Sequence, residues 1–178
     1  MSVFWRQGYA ATSTEDLLQA MKVGRQSMYD TFGDKRRLYV EALARYQRES
    51  TTENIRRLQS TASPLAGVEA MISGLFPSEK AARERGCMGI NSISEFGHAD
   101  LDLNKLRAEN GRRQHVALIE RLSEAQATGE ISKAADLEQA ARFVETTMTG
   151  LQIAAKAGAG AKDLRDTAAF AINLLKVT

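Results

Sequence analysis

The chain has 178 residues, 43% of them hydrophobic, which is enough for a buried core and far from the composition of a disordered chain. Two prolines, 6% aromatic residues and frequent Ala, Leu, Glu, Arg and Gln favour helices over strands, and the single cysteine, Cys87, excludes an internal disulfide framework. The net charge is only +2, yet residues 1–48 carry eight Lys and Arg against five Asp and Glu, while the remainder carries sixteen against seventeen. The positive excess therefore sits in the first quarter of the chain, where a polyanionic partner is to be sought.

In chain order, Val3, Phe4 and Trp5 run towards Gly8-Tyr9, so a first helix ends near Arg6–Gln7 with Gly8 as a left-handed cap. Thr12 with Glu15, or Ser13 with Asp16, has the spacing of a capping box and opens a short second helix whose apolar face is Leu17, Leu18 and Met21. Lys22-Val23-Gly24 breaks it. A third helix follows over residues 25–31, with Met28 and Phe32 four apart on one face. Gly33-Asp34 ends it and starts a long helix carrying Leu38, Leu43 and Tyr46 and reaching Ile55 and Leu58. Residues 12–32 thus read as helix, tight turn, helix, the layout in which the second short helix enters the DNA major groove. Leu17, Leu18, Val23, Met28, Phe32 and Leu38 are expected in the core. Further helices are expected at about 64–75, 78–85, 88–97, 101–128, 134–158 and 162–176, broken at glycines. The fold is all-α, with residues 1–47 as a helix-turn-helix DNA-binding head and 48–178 as a helical body, and the boundary lies inside the long helix.

The head's chemistry is that of base and phosphate recognition. Arg25, Gln26, Ser27, Tyr29 and Asp30 crowd the second short helix; Gln can pair with adenine N6/N7 and Arg with guanine O6/N7. Arg36 and Arg37 either reach DNA or stay solvated and pair with Glu41. In the body, Leu137, Ala141, Val144, Met148 and Leu151 form one helical stripe, and Leu164, Ala168, Ala171 or Ile172, and Leu175 another. Polar residues among apolar ones, namely Asn91, Glu95, His98, Gln114, His115, Glu145 and Gln152, are pocket candidates beside apolar walls drawn from Phe76, Met88, Phe96, Leu118, Phe143 and Met148. Cys87, at a helix start after Arg83 and Arg85, reads either as a buried small hydrophobe or as a reactive thiol.

Phe4-Trp5-Arg6-Gln7-Gly8-Tyr9, then Ala11-Thr12-Ser13 with Asp16-Leu17-Leu18, then Val23 to Ser27, Met28-Tyr29 and Phe32-Gly33-Asp34-Lys35, with Arg37-Leu38 and Leu43 beyond, resemble the N-terminal signature of the TetR family of bacterial transcriptional regulators. The resemblance spans residues 4–45 in order and register. Gly86-Cys87-Met88 with Asn91, and Gly150-Leu151, are similar to segments of the family's C-terminal part. It implies a two-fold homodimer on a near-palindromic double-stranded operator, with a small, mostly apolar effector in the body that spreads the heads and releases the DNA. By family position, Arg25, Gln26 and Ser27 face the bases, Tyr29 and Lys35 hold phosphates, and Thr12 offers its hydroxyl and the helix N-terminus to phosphate. The effector contacts are expected among Met88, Asn91, Phe96, His115, Met148 and Gln152. The two body stripes, from each subunit, are expected to form a four-helix dimer interface.

The departures are local. The turn reads Met21-Lys22-Val23-Gly24 where the family usually has Ala-Gly-Val-Ser, and Thr31 replaces a frequent His. The family's first helix begins upstream of Met1, so a truncated first helix is expected, and with it an alternative: a helical adaptor or sensor that has lost operator binding. An enzyme is not expected, since no metal cluster, phosphate-cradling loop or Ser-His-Asp arrangement is legible. No cofactor or metal is implied. No apolar run approaches the ~20 residues of a membrane span and no leader is visible, so the expected compartment is the cytoplasm.

Overall fold

The computed structural model describes residues 1–176, and among them it contains helices and no strand. The helices are α1 (Ser2–Gln7), α2 (Thr14–Met21), α3 (Arg25–Phe32), α4 (Lys35–Leu58), α5 (Pro64–Ser73), α6 (Lys80–Arg85), α7 (Met88–Phe96), α8 (Leu101–Ala127), α9 (Leu137–Lys156) and α10 (Ala161–Asn173). The expected helices recur with ends shifted by a few residues, as fraying ends do. The chain divides into two compact units, Met1–Glu49 with Cys87–Glu109, and Ser50–Gly86 with Asn110–Thr178. Residues 87–109, read from the sequence as body, cluster with the N-terminal helices instead. Burial is the reason: Met88 and Leu103 join Val3, Phe4, Leu17, Met28, Leu38, Tyr39 and Leu43 in one apolar cluster, with Phe96 and Leu106 packed against it.

In the N-terminal unit, short helices are held by caps and aromatic packing rather than by length, because two turns of helix are marginal alone. Ser13 and Asp16 form the capping box: Ser13 N–H donates to Asp16 Oδ2 at 2.8 Å, and Asp16 N–H donates to Ser13 Oγ at 3.0 Å. The Ser13 backbone N–H first, and the Ser13 side chain second, hold the Asp16 carboxyl below its ordinary range. Lys22 ends α2 in the left-handed conformation, φ 56°, ψ 43°, at the position where a glycine would carry no steric cost. Val23, expected in the core, is instead 37% exposed, because it belongs to the three-residue turn and to neither helix's apolar face. Gly8 is also unlike the expected left-handed cap: at φ 78°, ψ 178° it occupies an extended region open essentially to glycine alone. Phe4 and Tyr9 pack on Tyr39 with centroids 5.1 Å apart in each pair, and Phe96 lies 5.4 Å from Tyr9 and 5.5 Å from Tyr39. This aromatic block fixes α1 over the helix-turn-helix.

In the C-terminal unit, Leu58, Val68, Met71, Ile72, Leu118, Leu122 and Ile131 form a second core with the apolar faces of α9 and α10. Gly67 permits the close approach of α5 to the end of α4: a Cβ there would lie 2.1 Å from the Leu58 carbonyl oxygen. The stripe Ala141, Val144, Met148 and Leu151 on α9, and Leu164, Ala168, Ala171 and Ile172 on α10, expected at a dimer interface, are buried within this chain. Leu137 and Leu175 pack against the same core. Two helices that must close their own unit spend their most apolar faces on it. What they leave outward is a different set, Phe143 and Ile153 on α9 and Phe170 on α10, with Leu174 just beyond.

Candidate nucleic-acid interface

The first turn of α3 presents a run of exposed polar side chains on the helix-turn-helix. Met28 is its fully buried anchor, so α3 cannot rotate without losing core contact. With Met28 inward, Arg25, Gln26, Ser27, Tyr29 and Asp30 are exposed. The N-cap is Gly24, which leaves the first-turn N–H groups without a side-chain acceptor. Arg25 is ion-paired with Glu15 of α2. Both side chains are more than half exposed, so that pair contributes little and yields readily to a stronger anion. Gln26 Nε2 donates to Asp30 Oδ1 at 2.7 Å.

Tyr29 is 38% exposed beside this turn. Lys35, at the start of α4, is half-buried with its ammonium over the Tyr9 ring, Nζ 4.3 Å from the ring centre. Thr12 departs from its expected role. It is 1% exposed, its hydroxyl donates to the Gly8 carbonyl at 2.6 Å, and its N–H donates to Tyr9 O at 3.3 Å. Both groups are thus turned inward to hold the α1–α2 corner. The cap that does stand at the surface is Ser13.

The surface is braced from behind by residues that spacing alone did not single out for this task. Glu95 of α7, read as a pocket candidate, accepts the backbone N–H groups of Tyr9 and Ala10, each at 2.9 Å. Arg36 pairs with Asp100 and lies over the Phe96 ring at 5.5 Å, so it is neither free for DNA nor paired with Glu41. Burial raises the Asp100 carboxyl, but the Leu103 N–H and the Arg36 guanidinium outweigh it and leave the group below its ordinary range. Arg37 remains exposed. Asp30 and Glu15 were legible as charges; their pairing with the base-reading candidates follows from the i,i+4 step and from the α2–α3 turn.

The expected effector contacts fall in both units. Met88, Asn91 and Phe96 are in the N-terminal one, where Met88 is core and Phe96 part of the aromatic block. His115, Met148 and Gln152 are in the C-terminal one. There Met148 is core, Gln152 is half-buried, and His115 lies between two carboxylates, Nδ1 3.2 Å from Glu145 Oε1 and Nε2 3.2 Å from Glu138 Oε2. Gln114 accepts from buried Asn54 at 2.8 Å. A groove of ≈ 390 Å³ in the same unit is lined by other residues, among them Leu65, Glu69, Glu130 and Ile172. Cys87 is half-buried at the N-cap of α7. Among the described residues no helix is long and apolar enough to cross a membrane.

The family model for bacterial regulatory proteins of the tetR family matches residues 1–42, and that for the tetracyclin repressor-like C-terminal domain matches residues 64–171. The HTH-type transcriptional repressor ComR of Escherichia coli is 29% identical over 178 residues, 98% of this chain and 84% of that protein. The uncharacterized HTH-type transcriptional regulator YezE of Bacillus subtilis is 27% identical over 177 residues, 98% of this chain and 91% of that protein. Among solved structures, a cysteine mutant of the TetR family transcriptional regulator CifR, complexed with 26-bp double-strand operator DNA, superposes with a TM-score of 0.80 at 26% identity, covering 97% of this chain and 91% of that one. Reduced NemR of Escherichia coli shares the fold, with a TM-score of 0.83 at 17% identity over 99% of this chain and 92% of that one.

Proposed function

This chain belongs to the TetR family of bacterial regulatory proteins, and on that premise we propose that it is a repressor that binds a near-palindromic operator as a homodimer and is released by a small molecule. The observation that carries the reading is the exposed first turn of α3, locked in rotation by buried Met28 and bearing Arg25, Gln26 and Ser27. It is a transcriptional regulator and not an enzyme. Arg25, Gln26 and Ser27 are assigned to base edges, and Tyr29 and Lys35 to phosphates. Ser13 takes the part first given to Thr12, since its N-cap stands at the surface. With DNA as partner, the compartment is the cytoplasm.

The effector is read as small and mostly apolar, held in the C-terminal unit. His115 and Gln152 are the expected contacts there whose side chains keep a part-exposed surface. Association is assigned to the outward faces of α9 and α10. Release requires only that the effector prefer the non-binding conformation; a ~100-fold preference is worth ~2.7 kcal/mol, within the usual coupling range.

Selection from random duplexes, followed by footprinting at physiological salt, tests the core of this reading. A two-fold symmetric site with half-sites about one turn apart, ~34–36 Å, or somewhat wider is the expected product. Enrichment of no two-fold site, or binding indifferent to sequence, counts against it. Calorimetry of candidate effectors with and without operator tests the release arm, because coupling is reciprocal and the operator must weaken effector binding by the same factor.

A further inference from the structure

The Gln26 amide has a partner on its own helix. Its Nε2 donates to Asp30 Oδ1, one helical turn on, at 2.7 Å. An ionised carboxylate accepts and never donates, so Asp30 holds the amino end of the Gln26 amide and cannot hold the carbonyl end. The other charged side chain of α3, Arg25, pairs with Glu15 of α2 and not with Asp30.

We infer that Asp30 is the positioning residue that makes Gln26 specific for adenine. One N–H of the amide is spent on Asp30. The second N–H and Oε1 remain as a donor beside an acceptor in a fixed order, which complements adenine N7 and the adenine N6 amino group. Without the carboxylate the amide turns over freely, presents the pair in reverse order, or offers Oε1 alone to cytosine N4. The inference rests on the operator-binding reading above, in which Gln26 faces base edges. It also carries a distinctive cost. A carboxylate beside the phosphates lowers affinity for every sequence. Asp30 therefore trades affinity for discrimination, whereas a merely structural residue supports both together.

The test uses the full chain and its Asp30→Ala, Asp30→Asn, Gln26→Ala and combined Gln26→Ala/Asp30→Ala variants. Each is passed through selection from random duplexes, then titrated by fluorescence anisotropy on the selected duplex and on duplexes altered at each half-site position. Gln26→Ala is expected to relax one position at which adenine is preferred. Both Asp30 variants are expected to relax that same position, from about tenfold or more to about threefold or less, with affinity for the selected duplex unchanged or higher. The combined variant adds nothing at that position beyond Gln26→Ala. Asp30 variants that keep the preference, relax a different position, or weaken all duplexes equally overturn the inference and leave the operator reading intact. So does a preferred base other than adenine at the Gln26 position. A wild-type chain that enriches no site overturns both.

Discussion

Gly8 and Glu95 fit together only because residue 8 has no side chain: a Cβ there would lie 2.9 Å from a Glu95 carboxylate oxygen, while that carboxylate accepts the N–H groups of Tyr9 and Ala10. The corner between α1 and α2 is thus gripped through its backbone from α7. Gly8→Ala adds a steric conflict to a backbone conformation essentially reserved for glycine, and is expected to cost ~1–3 kcal/mol. Glu95→Ala leaves two N–H groups to water and is expected to cost about 1 kcal/mol. In the Glu95→Ala background, Gly8→Ala should cost less, since the collision has gone and the backbone penalty remains. Urea unfolding of the four proteins measures the difference. Equal costs in both backgrounds show that the collision carries no energy.

Lys22 offers the opposite case, a position where nature's residue is strained. At φ 56° it holds the left-handed conformation that ends α2 and aims α3. Lys22→Gly removes the Cβ penalty, partly offset by the entropy of the freer unfolded chain, and is expected to stabilise by up to about 1 kcal/mol. The midpoint of urea unfolding should rise with no change in its slope. A fall in the midpoint shows that the Lys22 side chain contributes more than its backbone costs.

The helices and the head's polar surface were legible in the sequence because they are local: caps, breaks and apolar spacing all fall within a few residues of one another. Ser13 with Asp16 is such a signal, one of the two capping pairs that the spacing offered, and it is the one that formed. What was not legible depends on distant partners. Glu95 reads as a pocket candidate on α7 until Tyr9 and Ala10 arrive beside it and take up its carboxylate. Thr12 and Ser13 are both plausible caps in sequence, and only the inward turn of Thr12 onto Gly8 separates them. The stripes of α9 and α10 show the limit of periodicity most clearly. A 3.6-residue repeat says that a face is apolar and says nothing about whether that face meets its own chain or another.

Stability should fall at both ends of the pH scale, for groups that can be named. Burial, followed by the nearby Glu95 charge, pushes the Tyr39 hydroxyl up from 10 to about 12. The fold favours the neutral phenol, so this contribution is complete below pH 10 and is lost as pH rises towards 12. At the acid end, a hydrogen bond from Arg56, with help from Arg57, lowers the Glu53 carboxyl from 4.5 to about 2. Its contribution is present above pH 4.5 and fades as pH falls towards 2. Unfolding free energies measured across pH should show both limbs. Tyr39→Phe is expected to flatten the alkaline one, and Glu53→Gln to reduce the acid one. Because Glu53 is exposed to solvent, high salt should shrink its share.

Lys35 is assigned to phosphate, so its loss should be blind to sequence. Lys35→Ala is expected to weaken selected and unrelated duplexes alike and to reduce the log-log salt slope by about 1. It should also cost a few tenths of a kcal/mol to ~1 kcal/mol of stability, since the ammonium stacks over Tyr9 at 4.3 Å. Anisotropy titrations at several salt concentrations read the first effect and thermal unfolding the second. A change of preferred base at any position assigns Lys35 to the bases instead.

The outward residues of α9 and α10 give the sharpest test of association. Phe170 is 64% exposed, Leu174 60% and Ile153 52%. Large apolar side chains left in water on helices that have already closed their own core are the composition of a surface that another chain covers. A stable dimer needs on the order of 1,200–2,000 Å² of such burial. Phe170→Glu and Ile153→Glu place a charge on that face without touching the core, so thermal unfolding of the dilute chain should change by no more than about 0.5 kcal/mol. Sedimentation should shift from dimer to monomer, because an unpaired carboxylate cannot be buried against a second copy without a large desolvation cost. Leu151→Ala is the converse control. It hollows the core of the same helix and is expected to cost ~2–5 kcal/mol while the outward face stays apolar. If the glutamate variants become monomers and lose the two-fold operator but keep their fold, association runs through the outward faces. Glutamate variants that remain dimeric place the contact elsewhere on the chain.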